Sequence, residues 1–246
     1  QISSWGKLSG LMDTLRTSAI KLSSASTWNQ TQVSSSDATQ VSGSTTLGGV
    51  PAAGRYSVDV QSLAQAQSLA SGVVASGTSL MGHLKIEVGA WSSGSPSSFQ
   101  AKSGSNALEL DFSNPSTSLS DIRDAINAAH ADFSASIVTD ATGQRLVLTS
   151  TLTGAAQALK VTATPDASSS SQLDQLSYQG EGSNSGMTQT RVAADAQFTI
   201  NGLKLSSSSN QLDGTISGMR LTLNKVTTVS NPVAAFTDAN VAYASG

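Results

Sequence analysis

Apolar residues at the start of the chain recur every three or four positions. These positions are Ile2, Trp5, Leu8, Leu11, Met12, Leu15, Ala19 and Leu22. Their spacing predicts an amphipathic helix of about twenty residues. A fainter stripe follows Pro232, and proline is favoured in the first turn of a helix. Neither segment can bury its apolar face alone, so we expect the two to pack together and against helices outside this sequence.

The middle of the chain has the two-residue alternation of half-buried strands. This pattern predicts strands within residues 56–60, 84–88, 108–112, 134–138, 145–149, 159–161, 196–200, 203–205 and 216–223. Asn201 and Gly202 separate two of these strands and tolerate positive φ angles, which predicts a tight hairpin turn. A second hairpin is predicted around the glycine-containing turn at 140–143.

One helix is predicted inside this strand-rich region. Ser118 or Ser120 can cap its N-terminus, and Asp121 and Asp124 stand in the first turn, where the helix dipole favours anions. The helix ends near His130. Its apolar stripe consists of Leu119, Ile122, Ile126 and Ala129.

Four stretches are poor in apolar residues. Residues 28–53 predict an extended connection, either a linker or an irregular edge strand. Residues 63–70 suit a strand continuation or a short helix. Residues 92–105 and 165–187 are predicted as loops. The order helix, β-rich region with one helix, then helix indicates an α+β fold in which one β module interrupts a helical domain and a second interrupts the first.

Composition narrows the classes of function. Of the 246 residues, 38% are hydrophobic and 12% are charged, with a net charge of −3, so hydroxyl and amide groups cover much of the surface. No basic patch is large enough to bind nucleic acid. The chain has no cysteine, which excludes disulfides and thiolate metal sites. No apolar run predicts a membrane span, and no secretion signal opens the chain, which begins at Gln1 like a fragment or processed form.

Candidate chemistry is sparse. His83 and His130 lie outside any metal-ligand spacing, and no serine stands in a Gly-x-Ser-x-Gly elbow. The glycines between 180 and 186 do not follow a strand or open a helix, so they predict a loop and not a phosphate cradle. We therefore predict no enzyme activity, no metal site and no cofactor. Trp91, at a strand end before a serine-rich loop, is the best candidate for an exposed aromatic contact.

Three segments in order resemble the bacterial flagellar filament cap proteins, also called the hook-associated protein two family. They are GRYSVDVQSLAQAQSLAS (54–71), SLSDIRDAINAAHADFSASIVTDATGQRLVLTSTLTGAAQALKV (118–161) and AQFTINGLKLSSSSNQLDGTISGMRLTL (196–223). The first resembles a Y-x-V-x-V-x-x-L-A-Q-A-Q strand, and the third an F-x-I-N-G motif followed by I-x-G-x-x-L-T-L. Residues after 229 match poorly. Agreement of three separate motifs makes the resemblance specific.

The resemblance implies a helical leg segment and two nested, mainly antiparallel β-rich head domains, with the family's terminal coiled coils lying outside this sequence. We expect a partial leg and linker at 1–46, an inner head domain at 47–80 and 190–230, and an inserted outer α+β head domain at 81–189. Residues 231–246 would begin a returning leg helix.

Family membership also implies a secreted protein that acts as a homo-oligomer at the distal tip of the flagellar filament. There it would promote flagellin polymerisation and prevent monomer leakage, with flagellin, the filament end and hook–filament junction proteins as partners. Candidate interface residues are Trp5, Leu8, Leu11, Leu15 and Trp91. Nucleic acid and membrane insertion are not expected.

Two rival functions make different predictions. An adhesin-like module that binds host glycans or mucin, an activity linked to some family members, requires an exposed aromatic shelf or a calcium site. A secreted hydrolase requires His83 or His130 in a cleft beside a serine and a carboxylate.

Overall fold

The computed structural model describes residues 2–23, 32–47, 49, 51–75, 77–92, 97–129, 131–167, 170–183 and 186–227. The fold is α+β and mostly β, which confirms the predicted class. The chain divides into two compact units. The terminal unit comprises Gln1–Asp59, Thr199–Leu203 and Gln211–Gly246, and the inserted unit comprises Val60–Phe198 and Lys204–Asn210. The domain boundaries expected from the sequence stay a prediction.

Two α-helices and fourteen strands are assigned within the described residues. In chain order they are α1 (Ile2–Ser23), β1 (Val41–Thr45), β2 (Val58–Ser62), β3 (Ser68–Ser71), β4 (Gly82–Trp91), β5 (Phe99–Ala101), β6 (Leu108–Phe112), α2 (Leu119–Ala128), β7 (Phe133–Asp140), β8 (Gly143–Ser150), β9 (Ala158–Pro165), β10 (Met187–Arg191), β11 (Ala196–Ile200), β12 (Leu203–Ser207), β13 (Gln211–Asp213) and β14 (Met219–Leu223).

The terminal unit contains a three-stranded antiparallel sheet of order β1-β14-β13. Its edge strand β1 runs from Val41, opposite Leu223, to Thr45, opposite Met219. Of the two alternatives for residues 28–53, an edge strand is therefore correct for Val41–Thr45. Its alternation is faint because Val41 is its only buried side chain and the others are small and polar.

A second three-stranded sheet has the order β12-β11-β2, and the division between the units falls within each of its strands. The predicted turn at Asn201–Gly202 is confirmed, with φ angles of 50° and 81°. The Asn201 side-chain oxygen accepts a hydrogen bond from the Ser57 backbone N–H at 2.9 Å, and the Asn201 backbone N–H donates to Ser57 O at 2.8 Å. These two bonds tie the turn to the start of β2.

The inserted unit contains two sheets. One has the order β10-β3-β8-β7. In the other, the long strand β4 pairs with β9 along one edge and with β5 and β6 along the other. On β4 the residues Leu84, Ile86 and Val88 are buried and alternate with His83, Lys85 and Glu87, as predicted. Their buried side chains belong to one hydrophobic cluster to which both sheets and α2 contribute.

The embedded helix α2 begins as the sequence predicts. Ser118 is the N-cap: its hydroxyl accepts the Asp121 backbone N–H, and the Asp121 carboxylate accepts the Ser118 backbone N–H. This reciprocal pair is a capping box. The hydrogen bonds from the Ser118 backbone and then its side chain lower the pKa of Asp121. Ile122 and Ile126 are fully buried in the core.

A side-chain amide on α2 covers part of the free edge of β7. Asn127 donates from Nδ2 to Ala135 O and accepts at Oδ1 from Ala135 N, each at 2.8 Å. The amide therefore satisfies both backbone groups of Ala135, as a neighbouring strand would. This contact also fixes the helix against the strand that follows it.

Three segments differ from the sequence prediction or resolve its alternatives. The predicted loop 92–105 contains β5, because Phe99 packs against Trp91 and its backbone pairs with the end of β4. The predicted loop 165–187 contains a 3-10 helix, Leu173–Leu176, whose two leucines enter the core. Within 63–70, the strand alternative is correct from Ser68. The predicted helix after Pro232 lies outside the described residues.

Replacing Asn127 by alanine should destabilise the protein by about 1–2 kcal/mol, because two backbone groups lose their partners. Asp124→Ala on the same helix is the control, since Asp124 is 65% exposed and pairs only with Arg123. Its cost should stay below about 1 kcal/mol. Urea unfolding followed by circular dichroism measures both, and equal effects would contradict the edge-covering role of Asn127.

The capping box also predicts a pH dependence. The folded-state pKa of Asp121 lies below its ordinary value of 3.8, so its ionised form stabilises the fold above that pH. This stabilisation is lost as pH falls through the lowered pKa. In thermal melts, wild type should exceed Asp121→Asn in stability at pH 7, and the difference should shrink as pH falls through the lowered pKa of Asp121. A difference that stays constant with pH would contradict this origin.

Candidate functional site

An aromatic cluster lies at the end of strand β4. The Trp91 ring centroid is 4.9 Å from that of Phe99 and 6.0 Å from that of Tyr178, with tilted and edge-on geometry respectively. The Trp91 indole N–H donates to the Leu159 carbonyl at 3.1 Å. This bond fixes the indole in one orientation and occupies its only polar group.

The chain approaches the Trp91 ring closely at Gly180. This residue has a φ of +97°, and a Cβ placed on it would lie 2.9 Å from Cζ3 of Trp91. Only glycine combines this backbone conformation with so close an approach. The loop therefore lies directly against the indole, next to Glu181.

Behind the aromatic cluster is a network of buried amides. Gln67 is fully buried; its Oε1 accepts the Leu159 backbone N–H and its Nε2 donates to Oε1 of Gln189. The same Gln189 oxygen accepts the Tyr178 hydroxyl at 3.2 Å. Both polar groups of the Gln67 side chain are thus satisfied, which buried polar groups require.

These groups form the wall of a solvent-open cavity of about 750 Å³, which we call the aromatic cleft. Its polar and aromatic wall is formed by Gln67, Trp91, Tyr178, Gln179, Glu181 and Gln189. Small side chains, including Ala155, Ala158 and Ala193, leave the space open. Among the described residues that line the cleft, only Glu181 is charged. Burial, and then the nearby Glu181 charge, raise the pKa of Tyr178.

Helix α1 presents a second candidate surface. Four predicted interface residues on its apolar stripe are exposed: Trp5 by 73%, Leu8 by 51%, Leu11 by 68% and Leu15 by 65%. Met12, on the same stripe, is 61% exposed. Trp91, the fifth predicted interface residue, is instead partly buried and lines the aromatic cleft.

Of the two histidines considered for catalysis, the structure describes His83. Nδ1 of His83 lies 2.7 Å from Asp111 on the outer surface of β4 and β6, and His130 lies outside the described residues. Within the described residues, no group of three or more His, Cys, Asp or Glu side chains could hold a metal ion. No helix in the same part of the chain is long and apolar enough to cross a membrane.

Sequence reasoning missed most of the cleft. It identified Trp91 but not Gln67, Tyr178 or Glu181, and Gln67 stands more than a hundred residues before the other two. A glutamine within Q-S-L-A-Q-A-Q-S-L-A looks like a surface residue, since glutamine is mostly exposed in proteins. Gln67 is buried and bonds two strands only because β9 and β10 lie close to β3.

Comparison with known families and proteins identifies the fold. The profile "Flagellar hook-associated protein 2 N-terminus" matches residues 1–67, "Flagellin hook IN motif" matches 98–152, and "Flagellar hook-associated protein 2 C-terminus" matches 193–241. Flagellar hook-associated protein 2 of Escherichia coli K12 is 32% identical over 213 residues, which are 86% of this chain and 42% of that protein. The B-type protein of Pseudomonas aeruginosa is 32% identical over 194 residues, covering 74% of this chain and 38% of the relative.

Solved structures of flagellar cap proteins are also similar to this chain. The D1-D2-D3 domains of the flagellar cap protein FliD from Escherichia coli have a TM-score of 0.71 at 31% identity, covering 93% of this chain and 61% of that one. The D2-D3 domains alone have a TM-score of 0.68 at 31% identity, with 81% and 95% covered. These similarities define a structural component of the bacterial flagellum. The chain belongs to the flagellar hook-associated protein 2 family, and it spans 42% of the length of the Escherichia coli relative.

Replacing the buried glutamine by leucine, Gln67→Leu, keeps the volume but leaves the Leu159 N–H without its partner. We expect a loss of about 1–3 kcal/mol in urea unfolding. The same substitution at Gln100, an exposed residue of β5, should change stability by less than about 0.5 kcal/mol. A Gln67→Leu variant as stable as Gln100→Leu would contradict the connecting role of the amide.

Proposed function

We propose that this protein is part of the cap at the distal tip of the bacterial flagellar filament. In this role it is secreted and acts as a homo-oligomer that promotes flagellin polymerisation and prevents the loss of monomers. Family membership supports the cap assignment, and the exposed apolar stripe of α1 is the structural observation that carries the oligomeric role. The protein works through contacts with other subunits and not through catalysis.

The α1 stripe is suited to helix packing. Trp5, Leu8 and Leu15 lie on one side of the helix at three- and four-residue spacing and are more than half exposed. Helices with such stripes bury them against other helices in bundles. We assign α1 to a helical leg domain whose remaining helices lie elsewhere in the full-length protein. In the assembled cap this domain contributes to contacts with the filament end or with neighbouring subunits.

The outer surface of β4 supports contacts that do not depend on long-range charge. Across the sheet, His83 stands opposite Asp111, Lys85 opposite Glu109 and Glu87 opposite Lys160. Lys85 and Glu87 therefore each face a residue of opposite charge, which leaves little net field around them. Such a surface suits an assembly protein that must meet many incoming flagellin subunits without attracting unrelated proteins.

We further propose that the chain is arranged as the leg segment and nested head domains expected from the sequence. Flagellin, other copies of the protein, the filament end and the hook–filament junction proteins are its partners. Binding to host mucin stays a prediction.

Complementation of a cap-deficient strain with the full-length gene tests this function. The wild-type gene should restore filaments and reduce flagellin monomers in the medium. Leu15→Lys places a charge on the exposed stripe and should leave filaments short or absent, with flagellin still released. Thr17→Lys, on the opposite side of α1, is the matched control and should restore filaments.

Both substitutions are at exposed positions of α1, so both variants should fold with unchanged thermal stability. Failure of the wild-type gene to restore filaments would reject the cap function. Full restoration by Leu15→Lys would reject the role of the α1 stripe alone.

A further inference from the structure

We propose that the aromatic cleft is a binding site for a cationic nitrogen group, an ammonium or guanidinium ion carried by a polypeptide side chain or a small amine. The inference stands on the inserted unit alone and does not depend on the proposed function. Four features of the cleft carry it: its volume, its charge, its aromatic wall and its fixed geometry.

The cleft has the size of a ligand site. Its volume of about 750 Å³ falls within the range of small-molecule pockets, about 300–1,000 Å³. Ala155, Ala158 and Ala193 line it with side chains no larger than a methyl group. A lysine or arginine side chain fits this space together with part of its backbone.

The charge in the wall selects a cation. Glu181 is the only charged lining residue, and its carboxylate has no ion pair or hydrogen bond with any described residue. Gln179 donates from Nε2 to Val161 O and Thr162 Oγ1, which leaves its carbonyl oxygen as an acceptor. Ammonium and guanidinium groups carry only donors and match these acceptors. The described lining residues include no lysine or arginine that would attract an anion.

The aromatic wall favours the same class of ligand. The Trp91 N–H is already bonded to Leu159, so the indole offers a ligand only its π surface. Aromatic faces attract cations, and tryptophan does so most strongly. The protein already uses this interaction in the same cluster: Nζ of Lys160 lies 5.7 Å from the centroid of Phe99, whose ring packs on Trp91.

The wall is held in place before any ligand binds. Gln67, Gln189 and Tyr178 are joined by hydrogen bonds, and Gly180 holds the segment before Glu181 against the indole. A preorganised wall binds its ligand with less loss of conformational entropy. The amide and aromatic part of the cleft wall is therefore preorganised.

Titration of the 246-residue chain with Nα-acetyl-L-arginine amide tests the proposal, followed by the NMR signal of the Trp91 indole N–H. The isosteric neutral probe is Nα-acetyl-L-citrulline amide. We expect saturable shifts with the arginine probe and binding at least about tenfold weaker with citrulline. The Glu181→Gln variant should bind the arginine probe about tenfold more weakly than wild type. The matched control Glu109→Gln, on the outer surface of β6, should bind like wild type.

A second pair of variants tests the location. Ala155→Phe fills the cleft from an exposed position and should abolish the shifts, whereas Ala156→Phe, its neighbour outside the wall, should not. Both should keep the wild-type circular dichroism spectrum and thermal midpoint. Because these readouts require no filament, failure here leaves the cap function untouched.

Further probes distinguish the source of the cation. Tighter binding of putrescine than of the arginine and lysine amides assigns the site to a free amine, and the reverse order assigns it to a polypeptide side chain; either supports the proposal. Equal binding of arginine and citrulline probes, unchanged affinity in Glu181→Gln, or preferential binding of a neutral methyl glycoside would overturn it.

Discussion

The inserted unit depends on one buried side chain that connects its two sheets. Gln67 precedes β3 in the first sheet, and its amide bonds Leu159 of β9 in the second sheet and Gln189 of β10 in the first. Its backbone carbonyl also accepts the Ser150 N–H at the end of β8. An apolar residue could fill the same volume but could not satisfy the Leu159 N–H, and an unpaired buried amide is costly. The position of one sheet relative to the other is therefore fixed by hydrogen bonding as well as by packing.

The same connection shapes the surface. Leu159 bonds the Gln67 side chain through its N–H and the Trp91 indole through its carbonyl, so one residue orients both the core amide and the aromatic wall. On β4, Lys85 stands opposite Glu109 and Glu87 stands opposite Lys160, and Lys160 also lies over the ring of Phe99 in the aromatic cluster. Charge pairs and the aromatic cleft are therefore neighbouring features of the inserted unit.

The sequence pattern predicted the elements that depend on interactions between neighbouring residues. A serine cap for α2, at Ser118 or Ser120, the Asn201–Gly202 turn and the alternation on β4 each follow from neighbouring residues, and the structure has all three, with Ser118 as the cap. The sequence pattern did not predict elements whose structure depends on pairing with residues far away in the chain. Strand β1 forms because β14 lies beside it. Ser42 of β1 accepts a hydrogen bond from the side-chain amide of Asn224, which is 182 residues away in the chain. The cleft is missed for the same reason, because its wall is gathered from separate segments and its glutamines resemble surface residues.

Native-state hydrogen exchange at the Leu159 backbone amide tests the role of Gln67 most directly. If the buried glutamine joins the sheets, this amide and the Gln67 side-chain amide should exchange only through global unfolding, with the same dependence on denaturant as the core of β4. Exchange of Leu159 through a local opening, faster than that of Ile86 and independent of denaturant, would contradict the account.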